Sequence, residues 1–169
     1  RLDHPVRCLF RNCSAKTAGH IAWNAKLYHC VVTGTLNANN VAVRGCTLVN
    51  CSFAKNRFHH FLEYSNAYNT LFAKSTYRLG NDSTHEVVYT CIESDKQSDA
   101  AVAQGDDKNL FGQNDTHYYN MLENDFRLVA SSVAVGKGNA AYLDLIPEAY
   151  RLTDFCGNVI DATGAVNVG

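Results

Sequence analysis

Cys46-Thr47-Leu48-Val49-Asn50-Cys51-Ser52-Phe53-Ala54 is the stretch whose reading decides the fold. With Cys51 as anchor, the same order of residue types returns at Cys13, Cys30, Thr70 and Cys91. The intervals are 17, 21, 19 and 21 residues. The residue before each anchor is polar: Asn12, His29, Asn50, Asn69 and Thr90. Three before it stand Phe10, Leu27, Leu48, Ala67 and Val88, all apolar. Two after it come Ala15, Val32, Phe53 and Phe72, and then Glu93. Five before it come Cys8, Ala25, Cys46 and Ser65, and then Glu86. A period of about 20 residues with fixed chemistry in each column means one supersecondary unit, repeated and stacked.

Helical periodicity is nearly absent through residue 93. Short runs rich in Val, Leu, Phe, Thr and Tyr alternate with Asn, Gly and Ser, the pattern of many short strands. One strand type covers Cys8–Ala15, Lys26–Thr33, Cys46–Ala54, Ala67–Ala73 and Val87–Glu93. A second lies between, at His20–Trp23, Asn40–Val43 and His59–Glu63. No Asn-Gly or Asp-Gly pair joins the runs, so tight antiparallel hairpins are not expected. Equal-length coils instead predict parallel stacking at about 4.8 Å. The fold class expected is all-β, a right-handed parallel β-helix of about five coils over residues 1–93. Residues 94–169 form a loop-rich C-terminal segment or cap of the same domain. Asn12, Asn50 and Asn69 would stack at a bend and bond along the axis.

The composition sets limits. With 169 residues and 46% of them hydrophobic, the chain can bury a core as one domain. A net charge of −1 gives no general electrostatic case for nucleic acid or anionic membrane. No apolar run reaches the roughly 20 residues of a membrane span. The chain starts at Arg1 without Met, which fits a processed or excised segment. Only Arg1 to Val6 precede the first coil, so further coils upstream, or another copy stacked end to end, are expected to cover that end. The seven cysteines include Cys8-x4-Cys13 and Cys46-x4-Cys51. A zinc site or disulfides are one reading. Small buried hydrophobes on successive coils, mostly reduced, are the other and the expected one.

From Asn109 onward the chain resembles the C-terminal region of secreted bacterial parallel β-helix proteins of the pectin-lyase-like superfamily. The residues that carry this are Asn109-Leu110-Phe111, Asp125–Leu128, Ser132–Gly136, Asp154–Asn158 and Val166–Gly169. They are similar, in the same order, to an Asn-Pro-Leu-Phe step, Asp-Phe-Arg-Leu, Ser-Pro-Ala-Ile-Asp-x-Gly, Asp-x-x-Gly-Asn-Pro-Arg and a closing Val-Asp-Ile-Gly. Asn50-Cys51-Ser52-Phe53 is similar to the coils of such proteins. Val133 and Val135 replace the proline and aspartate of the third step, and Val159-Ile160 the Pro-Arg of the fourth. The resemblance implies the fold and a secreted or cell-surface location, and brings no catalytic residues.

Chemistry is sparser than architecture. There is no nucleophile elbow, P-loop, dinucleotide motif or His-Glu-x-x-His. Glu93, Asp95, Asp99, Asp106 and Asp107 lack calcium-loop spacing and read as a solvated loop. No metal, cofactor or catalytic residue is expected. The candidate ligand-binding residues are Tyr28, Tyr68 and Tyr89, one column of rings able to stack on sugars, with His59 and Glu63 on the second strand type. Rings packed under a loop and a plain solvent-facing His are the competing readings. The function expected is an extracellular or surface domain for carbohydrate binding, adhesion or structural assembly. The alternative is a polysaccharide lyase or glycoside hydrolase, which requires carboxylates facing one cleft.

Overall fold

A computed structural model describes residues 4–13, 21–73, 78–80, 86–92, 109–111, 118–120 and 125–169. Three parallel sheets make the body. The first holds β3 (Lys26–Tyr28), β6 (Thr47–Val49), β9 (Asn66–Tyr68) and β12 (Val87–Val88). The second holds β1 (Leu9–Arg11), β4 (Val31–Thr33), β7 (Ser52–Ala54), β10 (Leu71–Ala73), β13 (Cys91–Ile92) and β14 (Leu110–Phe111). The third holds β2 (Ala22–Trp23), β5 (Leu36–Arg44), β8 (Arg57–Glu63) and β11 (Arg78–Gly80). Through β13 each sheet takes every third strand, and β14 then follows β13 in the second sheet, so the chain winds as a parallel β-solenoid, a β-helix.

The corners explain the winding. Among the described residues, side after side ends on one residue in the left-handed region, with φ between 48° and 56° at Arg7, Asn12, Asn24, His29, Asn50, Lys55, Tyr64, Asn69 and Tyr89, and 69° and 63° at Gly34 and Gly45. Asn tolerates this conformation best of the non-glycine residues. At two corners an Asn side chain of the preceding coil lies where a Cβ would stand, Asn12 over Gly34 and Asn24 over Gly45, so only glycine fits. The next residue is usually a small donor. Cys30 Sγ donates to the Tyr28 carbonyl at 3.3 Å, Cys46 Sγ to Arg44 at 3.3 Å, Ser65 Oγ to Glu63 at 2.8 Å and Thr70 Oγ1 to Tyr68 at 3.0 Å. Each adds a second hydrogen bond to a carbonyl that already accepts a backbone N–H from the preceding coil.

Between corners, alternation sends one residue of each short side inward. Leu27, Leu48, Ala67 and Val87 stack from the first sheet, and Val32, Phe53 and Phe72 from the second. Phe53 stacks on Phe72 at 5.0 Å between centroids, and Phe61 meets Phe53, Phe58 and Phe72 at 5.8, 5.5 and 5.2 Å.

The structure corrects the columns in three places. Leu9, Val31, Ser52, Leu71 and Cys91 pair in register, so the corner column is Cys8, Cys30, Cys51, Thr70 and Thr90. Cys13 belongs to the next corner and Cys91 to the strand. Runs such as Lys26–Thr33 are two sides of the solenoid with a corner at His29 and Cys30, not one strand. Asn109-Leu110-Phe111 continues the solenoid: Asn109 Oδ1 accepts from Thr90 N–H at 2.9 Å and its Nδ2 donates to Val87 O at 2.6 Å. Cys30, Cys46 and Cys51 are buried, as the reading of small buried hydrophobes expects, whereas Cys8 and Cys13 are half-buried and Cys156 is exposed.

The C-terminal segment runs along the outside of the solenoid. Leu143, Ile146 and Val166 pack on Tyr28, Val49 and Tyr68 of the first sheet. Ala134, Val168, Phe126 and Leu128 pack on Ala54, Leu71 and Ala73 of the second. The tail is fixed by Val168 N–H to Ala134 O at 3.0 Å and Gly169 N–H to Asn69 O at 2.8 Å. Asn69, fully buried, clamps the segment like a short strand: Oδ1 accepts from Asn139 N–H at 2.8 Å, and Nδ2 donates to Asn139 O at 2.9 Å. Nδ2 also reaches Asn50 Oδ1 at 3.1 Å, so the amide ladder exists across these two coils. Asn12 lies at a different corner and is not part of it.

Candidate binding cleft and the open sheet

The predicted site residues fall in two unlike places. Tyr28 and Tyr68 lie in register on either side of Val49 and point outward, but both are buried under the C-terminal segment. Tyr142 stacks on Tyr68 at 4.6 Å, and the Tyr68 hydroxyl donates to Glu86 Oε2 at 2.7 Å. Tyr89 is a corner residue, with Val88 in the place expected for it, and its ring meets Tyr142 at 5.8 Å. These three rings therefore form no open platform. The outward apolar row is used to hold the C-terminal segment, which a single coil sequence does not reveal.

His59 and Glu63 lie on the third sheet. His59 is exposed, His60 is buried, and their Nδ1 atoms approach at 2.7 Å, so one ring donates to the other. Glu63 pairs with Arg44, Oε2 to Nε 3.4 Å. The Arg44 guanidinium lies over two exposed rings, 5.4 Å from Trp23 and 5.6 Å from Tyr64. Register places Trp23, Arg44 and Glu63 in one outward row. Tyr64 stands beside His59 and Glu63 as the sequence suggests, whereas Trp23 and Arg44 were missed in the sequence. The signal available was their place just before or at an Asn or Gly corner of the second strand type. His20 and the acidic residues Glu93, Asp95, Asp99, Asp106 and Asp107 lie outside the described residues.

A cleft among the described residues lies elsewhere. With a volume of about 510 Å³, it opens between the His29 and Asn50 corners and the C-terminal segment. Ser52 and Val31 form part of its floor, and Asp125–Leu128, the turn at 154–161 and the tail at 165–169 form its walls. Four polar groups set its electrostatics. Arg127 holds Asp125 in a fork, Nε to Oδ1 2.8 Å and Nη2 to Oδ2 2.6 Å, which keeps the Asp125 carboxyl below its ordinary pKa. Asp161 accepts from Thr163 Oγ1 at 2.6 Å and from its N–H at 2.9 Å, and is lowered likewise. Asp154 accepts from the Asn158 backbone N–H at 2.8 Å and from its Nδ2 at 2.9 Å. Burial, and then the nearby Arg7, press His29 down to about 4, against the opposing pull of Asp154 and a hydrogen bond to the Tyr150 backbone.

At neutral pH the cleft thus holds a neutral imidazole and two carboxylates fixed as anions. A general acid for glycoside cleavage needs a carboxyl whose pKa is raised, and both shifted acids here move the other way. Cys156, on the rim, is held above its ordinary pKa by the surrounding chain and by Asp154, so it is no activated thiolate. Among the described residues no group of three or more His, Cys, Asp or Glu is placed to hold a metal ion. No helix among them is long and apolar enough to cross a membrane.

No protein family, curated protein or solved structure matches the chain. What stands is the class: a mostly β protein built as a parallel β-solenoid, with strands stacked in register on every third element.

Proposed function

We propose that this solenoid is a non-enzymatic module, secreted or on a cell surface and of the pectin-lyase-like kind, that binds carbohydrate for adhesion or structural assembly. The cleft beside the His29 corner is its binding site. One observation carries the reading: a cleft of ligand size whose acids are tied to fixed partners, so that it offers hydrogen-bonding groups without an acid–base pair. Asn50, Ser52, Asn158 and Asn167 supply amide and hydroxyl groups, and Phe155 supplies an apolar ring, the mixture that saccharides match. β1, β2 and β3 are the terminal strands of the three sheets at one end. Upstream coils or another copy stacked there would pair those edges, which suits assembly.

The test is a panel of neutral, acidic and amino polysaccharides, scored for binding by calorimetry and for cleavage by reducing-end release. Binding without cleavage, weakened by Phe155→Ala, supports the reading. Cleavage abolished by Asp154→Asn would overturn it in favour of a lyase or hydrolase, and a panel with no binding at all would remove it.

A further inference from the structure

Cys8, Cys30 and Cys51 stand on successive coils at one corner, fixed there by the pairing of Leu9, Val31 and Ser52. Adjacent strands lie about 4.8 Å apart. That is within the Cα separation of about 4.4–6.8 Å which a disulfide spans. Cys30 interacts with the side chains of both neighbours. The three differ in freedom and in access. Cys30 and Cys51 are fully buried, on coils paired on both sides. Cys8 is half-buried and precedes β1, the terminal strand of its sheet, whose one strand partner is β4. A disulfide brings Cβ atoms to about 3.8 Å, closer than the coil rise, so one strand must shift. β1 can shift, whereas β4 and β7 are held by a neighbour on each side.

We propose that Cys8 and Cys30 are a reversible disulfide site, closed by exchange with a low-molecular-weight disulfide and tying the first coil to the second. Cys8 is the thiol that solvent reaches. Its proton goes to water, and the thiolate attacks one sulfur of the small disulfide, forming a mixed disulfide and releasing one small thiolate, which is protonated. Cys30 then loses its proton and attacks the Cys8 sulfur, expelling the second small thiolate. Two protein thiols are oxidised by two electrons, and the small disulfide is reduced to two thiols. Burial holds the Cys8 thiol above its ordinary pKa, so the exchange accelerates as the solution is made alkaline. Cys51, whose thiol burial pushes higher still, stays reduced. The proposal does not rest on the carbohydrate reading, although Cys30 lines the same cleft.

The experiment is incubation of the folded chain with oxidised glutathione at mildly alkaline pH, followed by intact mass and peptide mapping without reductant. The expected result is loss of two hydrogens, reversed by dithiothreitol and mapped to Cys8–Cys30. Cys8→Ser abolishes it and Cys51→Ser leaves it unchanged. Serine at position 8 keeps a donor for Val6 O, as the hydroxyls of Thr70 and Thr90 serve the same column, so the variant folds by circular dichroism. No bond, a bond mapped to another pair, or a bond formed only in urea would overturn the proposal.

Discussion

Replacing Asn69 tests the account of how the C-terminal segment is held. Its side chain makes three hydrogen bonds, two to the backbone of Asn139 and one to Asn50, and its own φ is 48°. Asn69→Ala removes all three. The half-buried N–H of Asn139 then has lost its partner, and Asn139 O loses one of its two donors, keeping the Tyr142 N–H at 3.2 Å. The unpaired N–H costs about 1 kcal/mol at the low end of the usual penalty, and the bond lost from the C=O is worth about 1 kcal/mol net. Alanine in the left-handed region adds about 1 kcal/mol. The total is about 3 kcal/mol, a large share of the roughly 5–15 kcal/mol that holds a domain. Asn69→Gly loses the same bonds without the backbone strain, so it costs about 2 kcal/mol. Asn69→Asp keeps the acceptor toward Asn139 N–H but turns a carboxylate oxygen toward Asn139 O and Asn50 Oδ1. It should be the least stable of the three at pH 7 and recover as acid protonates it. Urea unfolding followed by far-ultraviolet circular dichroism gives the order: wild type, then Gly, then Ala, then Asp. An alanine variant within 1 kcal/mol of wild type, or more stable than the glycine variant, would refute the clamp.

Gly138→Ala puts a Cβ 2.9 Å from both Asn69 Oδ1 and Val166 O, whereas Gly164→Ala meets nothing, so limited proteolysis should release the C-terminal segment faster in the first variant alone. Phe53→Ala removes a fully buried ring stacked on Phe72 and should cost about 3–5 kcal/mol in chemical denaturation. His29 is held at about 4 in the fold against 6.5 when unfolded. The unfolded chain therefore binds the extra proton between those values, and stability should rise with pH from about 4 to 6.5. His29→Asn, which suits the corner conformation, should flatten that slope in urea titrations at a series of pH values. End-to-end stacking predicts a concentration-dependent rise in scattering mass, and a monomer at all concentrations would dismiss it.

The sequence of this protein was enough for the solenoid. Inward residues such as Leu27, Leu48, Phe53 and Phe72 repeat at the coil period because each coil must bury the same positions on the last. The absence of hairpin turns left parallel winding as the natural solution. The register at the edges was not legible. Cys8 and Cys13 each follow a polar left-handed residue, Arg7 and Asn12, at successive corners five residues apart. Corners share one local chemistry, so the sequence offers two alignments of equal merit, and only the ladder from Leu9 to Val31 chooses between them. The same limit hid the fate of the tyrosines. Periodicity says that Tyr28 and Tyr68 point outward, but not what lies outside. That was decided by Tyr142, Leu143, Ile146 and Val166, distant in the chain, whose burial requires an apolar face already assembled from several coils. The cleft likewise exists only between two surfaces that no local stretch contains. Its electrostatics come from contacts such as Asp125 with Arg127, and from the burial of His29 against the turn beyond Tyr150.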